Sequence, residues 1–126
     1  MKSDPVKMTL LFDFYGELLT ERQKEFFDLY HNSDLSLSEI AENAEITRQG
    51  VRDVLSRAEG ILTDMEAKLK IVERFIALQN SLGRVQVAGS RITDVNDSKF
   101  MSAEIRQNAE IIKRLAGECS DLFRGD

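Results

Sequence analysis

Proline, cysteine, histidine and tryptophan are almost missing from this 126-residue chain, and each scarcity removes a class of reading. The single proline, Pro5, lies near the N-terminus, so no proline breaks a helix over the rest of the sequence. Cys119 has no second cysteine to pair with, which excludes an intramolecular disulfide and points to a reducing compartment or to indifference to redox. It reads as a buried or incidental thiol and not as a nucleophile. His31 is the only histidine, so a zinc site of the usual Cys and His composition cannot be assembled, and a surface or helix-end position is its default. No run approaches the roughly 18 to 20 apolar residues of a membrane span. No basic segment followed by an apolar core resembles a secretory signal. Carboxylate pairs such as Glu21 and Glu25 have no companion nucleophile, and there is no glycine-rich phosphate loop. The expectation is a cytoplasmic chain that is not an enzyme, with no catalytic residues, metal, cofactor or membrane contact.

What is present favours helix. Hydrophobic residues make up 42% and charged residues 31%, enough for one compact core under a solvated surface, and Leu, Glu, Arg, Lys and Ala dominate. The net charge of −5 restricts any contact with nucleic acid to a local patch.

Apolar residues from Met8 to Leu19 predict a first, broadly buried helix. Thr20 and Gln23 have the spacing of a capping box and open a second helix, from about Glu21 to Tyr30. The aromatic set Phe12, Phe14, Tyr15, Phe26, Phe27 and Tyr30 reads as core and not as a base-stacking platform. Ser36 and Glu39 repeat the capping box, opening a helix that buries Leu37, Ile40 and Ala41. A turn of three or four residues then leads to Thr47, a good N-cap, with Ile46 and Val51 placed to fill the angle. Two short helices joined this tightly are a helix-turn-helix. Beyond it Val51, Leu55, Ala58, Leu62, Met65, Leu69, Val72 and Ile76 form a heptad seam, interrupted by Gly60 as a bend or junction. Ser81 to Ser98, with Gly83, Gly89, Ser90, Asn96 and Asp97, reads as a loop, or as a weak hairpin. From Lys99 to Phe123 a second seam, Met101, Ile105, Asn108, Ile112, Leu115, Cys119 and Leu122, predicts a helix that packs antiparallel on the long one or forms half of an intersubunit bundle. The domain reading is 1–59 for the helix-turn-helix and 60–126 for a long helix, loop and C-terminal helix that dimerise.

In a DNA-reading helix-turn-helix the N-terminal half of the second helix enters the major groove. The exposed residues there are Thr47, Arg48, Gln49 and Arg52, with Ser56 and Arg57 further along. Arginine can fork onto guanine and glutamine onto adenine. Three arginines stand against one acid, Asp53, between Ile46 and Ala58, while Glu39, Glu42, Glu45 and Glu59 nearby would repel phosphate if they faced it. The alternative is a solvated arginine face on a protein-interaction module.

The segments LFDFYGELLT at 11–20 with Gln23, DLSLSEIAE at 34–42, TRQGVRD at 47–53 and RAEGILTDMEAKL at 57–69 resemble the YlxM family, the UPF0122-type helix-turn-helix proteins. The resemblance implies an all-α fold like region four of sigma factors, followed by long helices that often pair as a dimer. It also implies a regulatory role and a link to the signal recognition particle, beside whose GTPase gene members of the family lie. The partners so implied are DNA or, alternatively, the particle's GTPase or RNA. Glu45 stands where the family often has glycine in the turn, Gly50 where alanine is frequent, and Arg52 and Val54 where tyrosine and asparagine flank Asp53.

Overall fold

The computed structural model describes residues 4–122, and every regular element among them is helical, as expected of an all-α chain. Helix α1 (Pro5–Tyr15) begins earlier than its apolar pattern suggests because Asp4 caps it, accepting from the N–H groups of Val6 and Lys7, with Pro5 in the first turn where a missing N–H is harmless. A 3-10 turn, Gly16–Leu18, closes it. Thr20 and Gln23 form the capping box of α2 (Glu21–Phe27): the Gln23 N–H donates to Thr20 Oγ1 at 3.2 Å and the Thr20 N–H to Gln23 Oε1 at 2.9 Å. The chain continues through a wider π turn, Asp28–Asn32. Ser36 and Glu39 make the second box, at the start of α3 (Leu37–Ala44).

The extra residue in each turn of the π segment brings His31 inward. Instead of lying at the surface, its side chain is 1% exposed, 4.3 Å from the Phe27 ring, with Nε2 2.9 Å from Glu59 Oε1. Its Nδ1 is buried with no hydrogen-bond partner. Phe12 stacks on the other side of the aromatic set, 4.7 Å from Phe27 and nearly parallel.

Helix α4 (Arg48–Leu69) is the centre of the first unit and packs on α1, α2 and α3 through Val51, Leu55, Ala58 and Leu62, all fully buried. The first four positions of the expected seam therefore face the interior of one subunit. The helix passes unbroken through Gly60 and stops at Lys70, whose left-handed backbone (φ 56°, ψ 30°) separates it from α5 (Ile71–Val95). Leu69 is exposed, so the seam does not run on as one surface.

Glu66 holds this junction. It accepts from the Tyr15 hydroxyl at 2.7 Å and from the N–H groups of Val72 and Glu73 at 3.0 and 2.9 Å, capping the first turn of α5, while the Ile71 N–H donates to the Tyr15 oxygen. Burial favours the protonated carboxyl, but these three donated hydrogen bonds, with Lys7 nearby, outweigh it and hold Glu66 below the ordinary glutamate value. Burial, followed by the bond to Glu66, pushes the Tyr15 hydroxyl up.

Two compact units divide at Glu73 and Arg74, beyond the expected boundary at 59/60, because α4 does not end at Gly60. In the second unit the segment from Ser81 to Ser98 is not a loop: α5 runs to Val95, followed by a π turn, Asn96–Phe100, and α6 (Ala103–Asp121). Gly89 serves a helix contact and not a turn, since a Cβ there would come within 2.7 Å of Lys113 Cγ. The turn itself is fixed by Asn96, 1% exposed, which donates to the Ser102 carbonyl and accepts from the Ser102 N–H. Met101 takes the left-handed conformation there.

Several contacts between α5 and α6 are made by small or polar residues. Gln79 meets Ser120, Gln86 lies over Gly117, Lys113 lies over Gly89, and Ala109 and Ala116 are buried. The expected seam on α6 is displaced from this contact: Ile105, Ile112 and Leu115 are 38–49% exposed. Leu78, Val85 and Ile92, seven residues apart on α5, are exposed too. Cys119, on the same α6 stripe, is exposed and not buried. Among the described residues no helix is long and apolar enough to cross a membrane. Phe123, the expected end of the last helix, lies outside the described residues.

Candidate nucleic-acid interface

The turn between α3 and α4 closes on Glu45 in the left-handed region (φ 57°, ψ 41°), a conformation that costs a non-glycine residue about 1–2 kcal/mol. Two hydrogen bonds offset part of that strain: the Glu45 N–H donates to the Glu42 carbonyl and the Ile46 N–H to the Ala41 carbonyl. Ile46 is half-buried below the turn and Val51 fully buried, as the helix-turn-helix spacing requires. Thr47 then caps α4, its Oγ1 accepting from the Gly50 N–H at 2.9 Å. The Thr47 hydroxyl oxygen is thus occupied by the helix end.

The other expected residues come together on one exposed surface. Four-residue spacing gives two ridges along α4, one of Arg48, Arg52 and Ser56 and the other of Gln49, Asp53 and Arg57, and all six side chains are exposed. Arg48 to Ser56 spans about 12 Å at the rise of an α-helix. Arg48, Arg52 and Arg57 form no ion pair among the described residues. Gln49 does have a partner, donating from Nε2 to Asp53 Oδ1 at 2.9 Å. The first turn of α4 carries no acid, so the positive end of its dipole is not neutralised there, whereas Glu21, Glu39, Glu73 and Glu104 occupy the first turns of α2, α3, α5 and α6.

The acids that would oppose a phosphate are partly disposed of. Glu59 is turned into the core against His31, with 14% of its side chain exposed, and the Glu39 carboxylate is engaged at the Ser36 N–H. Glu42 and Glu45 remain exposed on α3 and its turn. From the sequence Asp53 reads as an opposing charge and, through the family resemblance, as a recognition-helix residue. Its position four residues beyond Gln49 was the available signal that the two side chains would bond.

Residues 2–110 match the UPF0122 family, described as YlxM / p13-like helix-turn-helix proteins. A UPF0122 protein of Desulforamulus reducens is 42% identical over 116 residues, covering 92% of this chain and 96% of its own. One from Acetivibrio thermocellus is 42% identical over 113 residues, covering 90% and 91%. One from Thermoanaerobacter sp. (strain X514) is 48% identical over 86 residues, 68% of this chain and 74% of that one.

Proposed function

This chain belongs to the UPF0122 family of YlxM / p13-like helix-turn-helix proteins, and from that membership we propose that it is a cytoplasmic DNA-binding regulatory protein acting as a homodimer. The observation that carries the reading is the outer surface of α4, where Arg48, Arg52 and Arg57 are exposed and form no ion pair among the described residues, on a chain whose net charge is −5. Exposed arginines on an otherwise acidic molecule are suited to a local phosphate and base contact, with Arg48 and Arg52 at the base edges and Arg57 toward the backbone.

The test is fluorescence anisotropy of duplex DNA titrated with the protein at low and at physiological salt. Binding is expected to weaken steeply with salt, and Arg48→Ala or Arg52→Ala to weaken it about tenfold or more, a phosphate-contacting arginine also lowering the salt slope by about 1. Absence of binding at low salt would reject the reading. The exposed Glu42 and Glu45 favour a protein partner in that case, and the same titration against the RNA and the GTPase of the signal recognition particle then decides the second reading, a module that modulates that particle without touching duplex DNA.

The homodimer rests on the second unit. The partly exposed Leu78, Val85, Ile92, Ile105, Ile112 and Leu115 of α5 and α6 are suited to the interior of a four-helix bundle made by two copies. Ile112→Glu is expected to shift sedimentation equilibrium from dimer to monomer while leaving the helical circular dichroism in place. A monomeric parent protein would sink the proposal.

A further inference from the structure

We infer that Asp53, held by Gln49, is a specificity-determining residue that selects a C·G base pair by accepting from the cytosine N4 amine in the major groove. This rests on the DNA-binding reading above and deepens it.

An ionised carboxylate only accepts hydrogen bonds, so the Gln49 amide must turn its NH2 group toward Asp53, as the 2.9 Å contact from Nε2 to Oδ1 has it. Gln49 is thereby left with its carbonyl oxygen and its second N–H. The Asp53 carboxylate on this ridge offers only acceptors, while the neighbouring ridge of Arg48 and Arg52 offers only donors.

Base edges in the major groove carry complementary patterns. Cytosine presents only its N4 donor there, adenine sets an N7 acceptor beside its N6 donor, and guanine and thymine present acceptors that the Asp53 carboxylate cannot meet with a hydrogen bond. One C·G pair answers both ridges: the cytosine amine donates to Asp53 or to the Gln49 oxygen, and guanine accepts from Arg52. The charge on Asp53 stays available for this. Arg57, four residues beyond it and within reach by spacing, forms no ion pair with it among the described residues. A carboxylate brought to a groove lined with phosphates is repelled unless a donor meets it, so Asp53 penalises wrong sequences as much as it favours right ones.

Selection from random-sequence duplexes, followed by sequencing and by anisotropy on the winners, tests this with the full chain and its Asp53→Ala and Asp53→Asn variants. The parent is expected to fix a C·G pair at one position, and an A·T pair fixed there instead overturns the inference. Asp53→Ala is expected to reduce that preference about tenfold and to bind unrelated duplexes more tightly, because a repelling charge has gone. Asp53→Asn keeps the size and sets an N–H beside its oxygen, so a cytosine preference should move toward adenine, which meets both ends of an amide. The same base fixed equally well by Asp53→Ala overturns the inference, and so does salt-sensitive binding by the parent with no base enriched; both leave DNA binding intact. A parent that gives no anisotropy change with any duplex at low salt overturns the DNA-binding reading, and the inference with it.

Discussion

Phe27→Ala is expected to lower the unfolding free energy by about 3–5 kcal/mol. The ring is completely buried, lies parallel to Phe12 at 4.7 Å and meets the His31 ring at 4.3 Å. Its removal opens a cavity between α1, α2 and α4 and takes away the apolar surface on which His31 rests. That histidine already holds one buried nitrogen without a partner, so it has little margin for further loss of contacts. Domains of this size are stable by only about 5–15 kcal/mol, and the variant should unfold at much lower urea with an unchanged dependence on denaturant. A shift in the midpoint worth less than about 1 kcal/mol would show that the core has collapsed around the missing ring.

Glu66→Ala should have the next largest effect, about 2–4 kcal/mol, since it strips the acceptor from the Tyr15 hydroxyl and from two backbone N–H groups at once. Glu66→Gln keeps an acceptor oxygen and the side-chain shape, and should lose less. The two variants also separate charge from shape through pH. Because the folded state holds Glu66 below its ordinary value, the unfolded chain takes up the proton first as pH falls. The stabilisation is thus complete above the unfolded value of about 4.3 and disappears as pH drops through the lower folded one. Glu66→Gln should flatten the acid limb of a plot of unfolding free energy against pH. An unchanged limb would mean that the carboxylate contributes no more than a neutral acceptor does.

The parts of this fold written in local chemistry were legible in the sequence. Thr20 with Gln23 and Ser36 with Glu39 open helices where their spacing put them, because a capping box depends on residues three apart and on nothing distant. Glu45 was identifiable as a left-handed position because it stands where the family often has glycine. The failures share a cause, which is that the deciding partner lies far along the chain. Gly89 looked like loop punctuation but is a gap for Lys113, twenty-four residues away. His31 looked exposed because nothing near it announced Glu59. On α6 the buried positions are the small residues Ala109 and Ala116, while Ile105, Ile112 and Leu115 of the expected seam are partly exposed. For the candidate interface, exposure of Arg48, Arg52 and Arg57 followed from helical periodicity, whereas the inward turn of Glu59 and the bond from Gln49 to Asp53 required coordinates.

The left-handed residue at Lys70 makes the chain modular in length. Rotation accumulates along a continuous helix at about 100° per residue, so inserting or deleting one residue in an unbroken rod would swing every later side chain to a new face. Here the count starts afresh at Ile71, from a cap that Glu66 sets within the first unit. The hairpin can gain or lose a turn beyond Arg74 without altering which residues of α4 face outward. Such an arrangement lets one end of a gene drift in length while the other is kept in register.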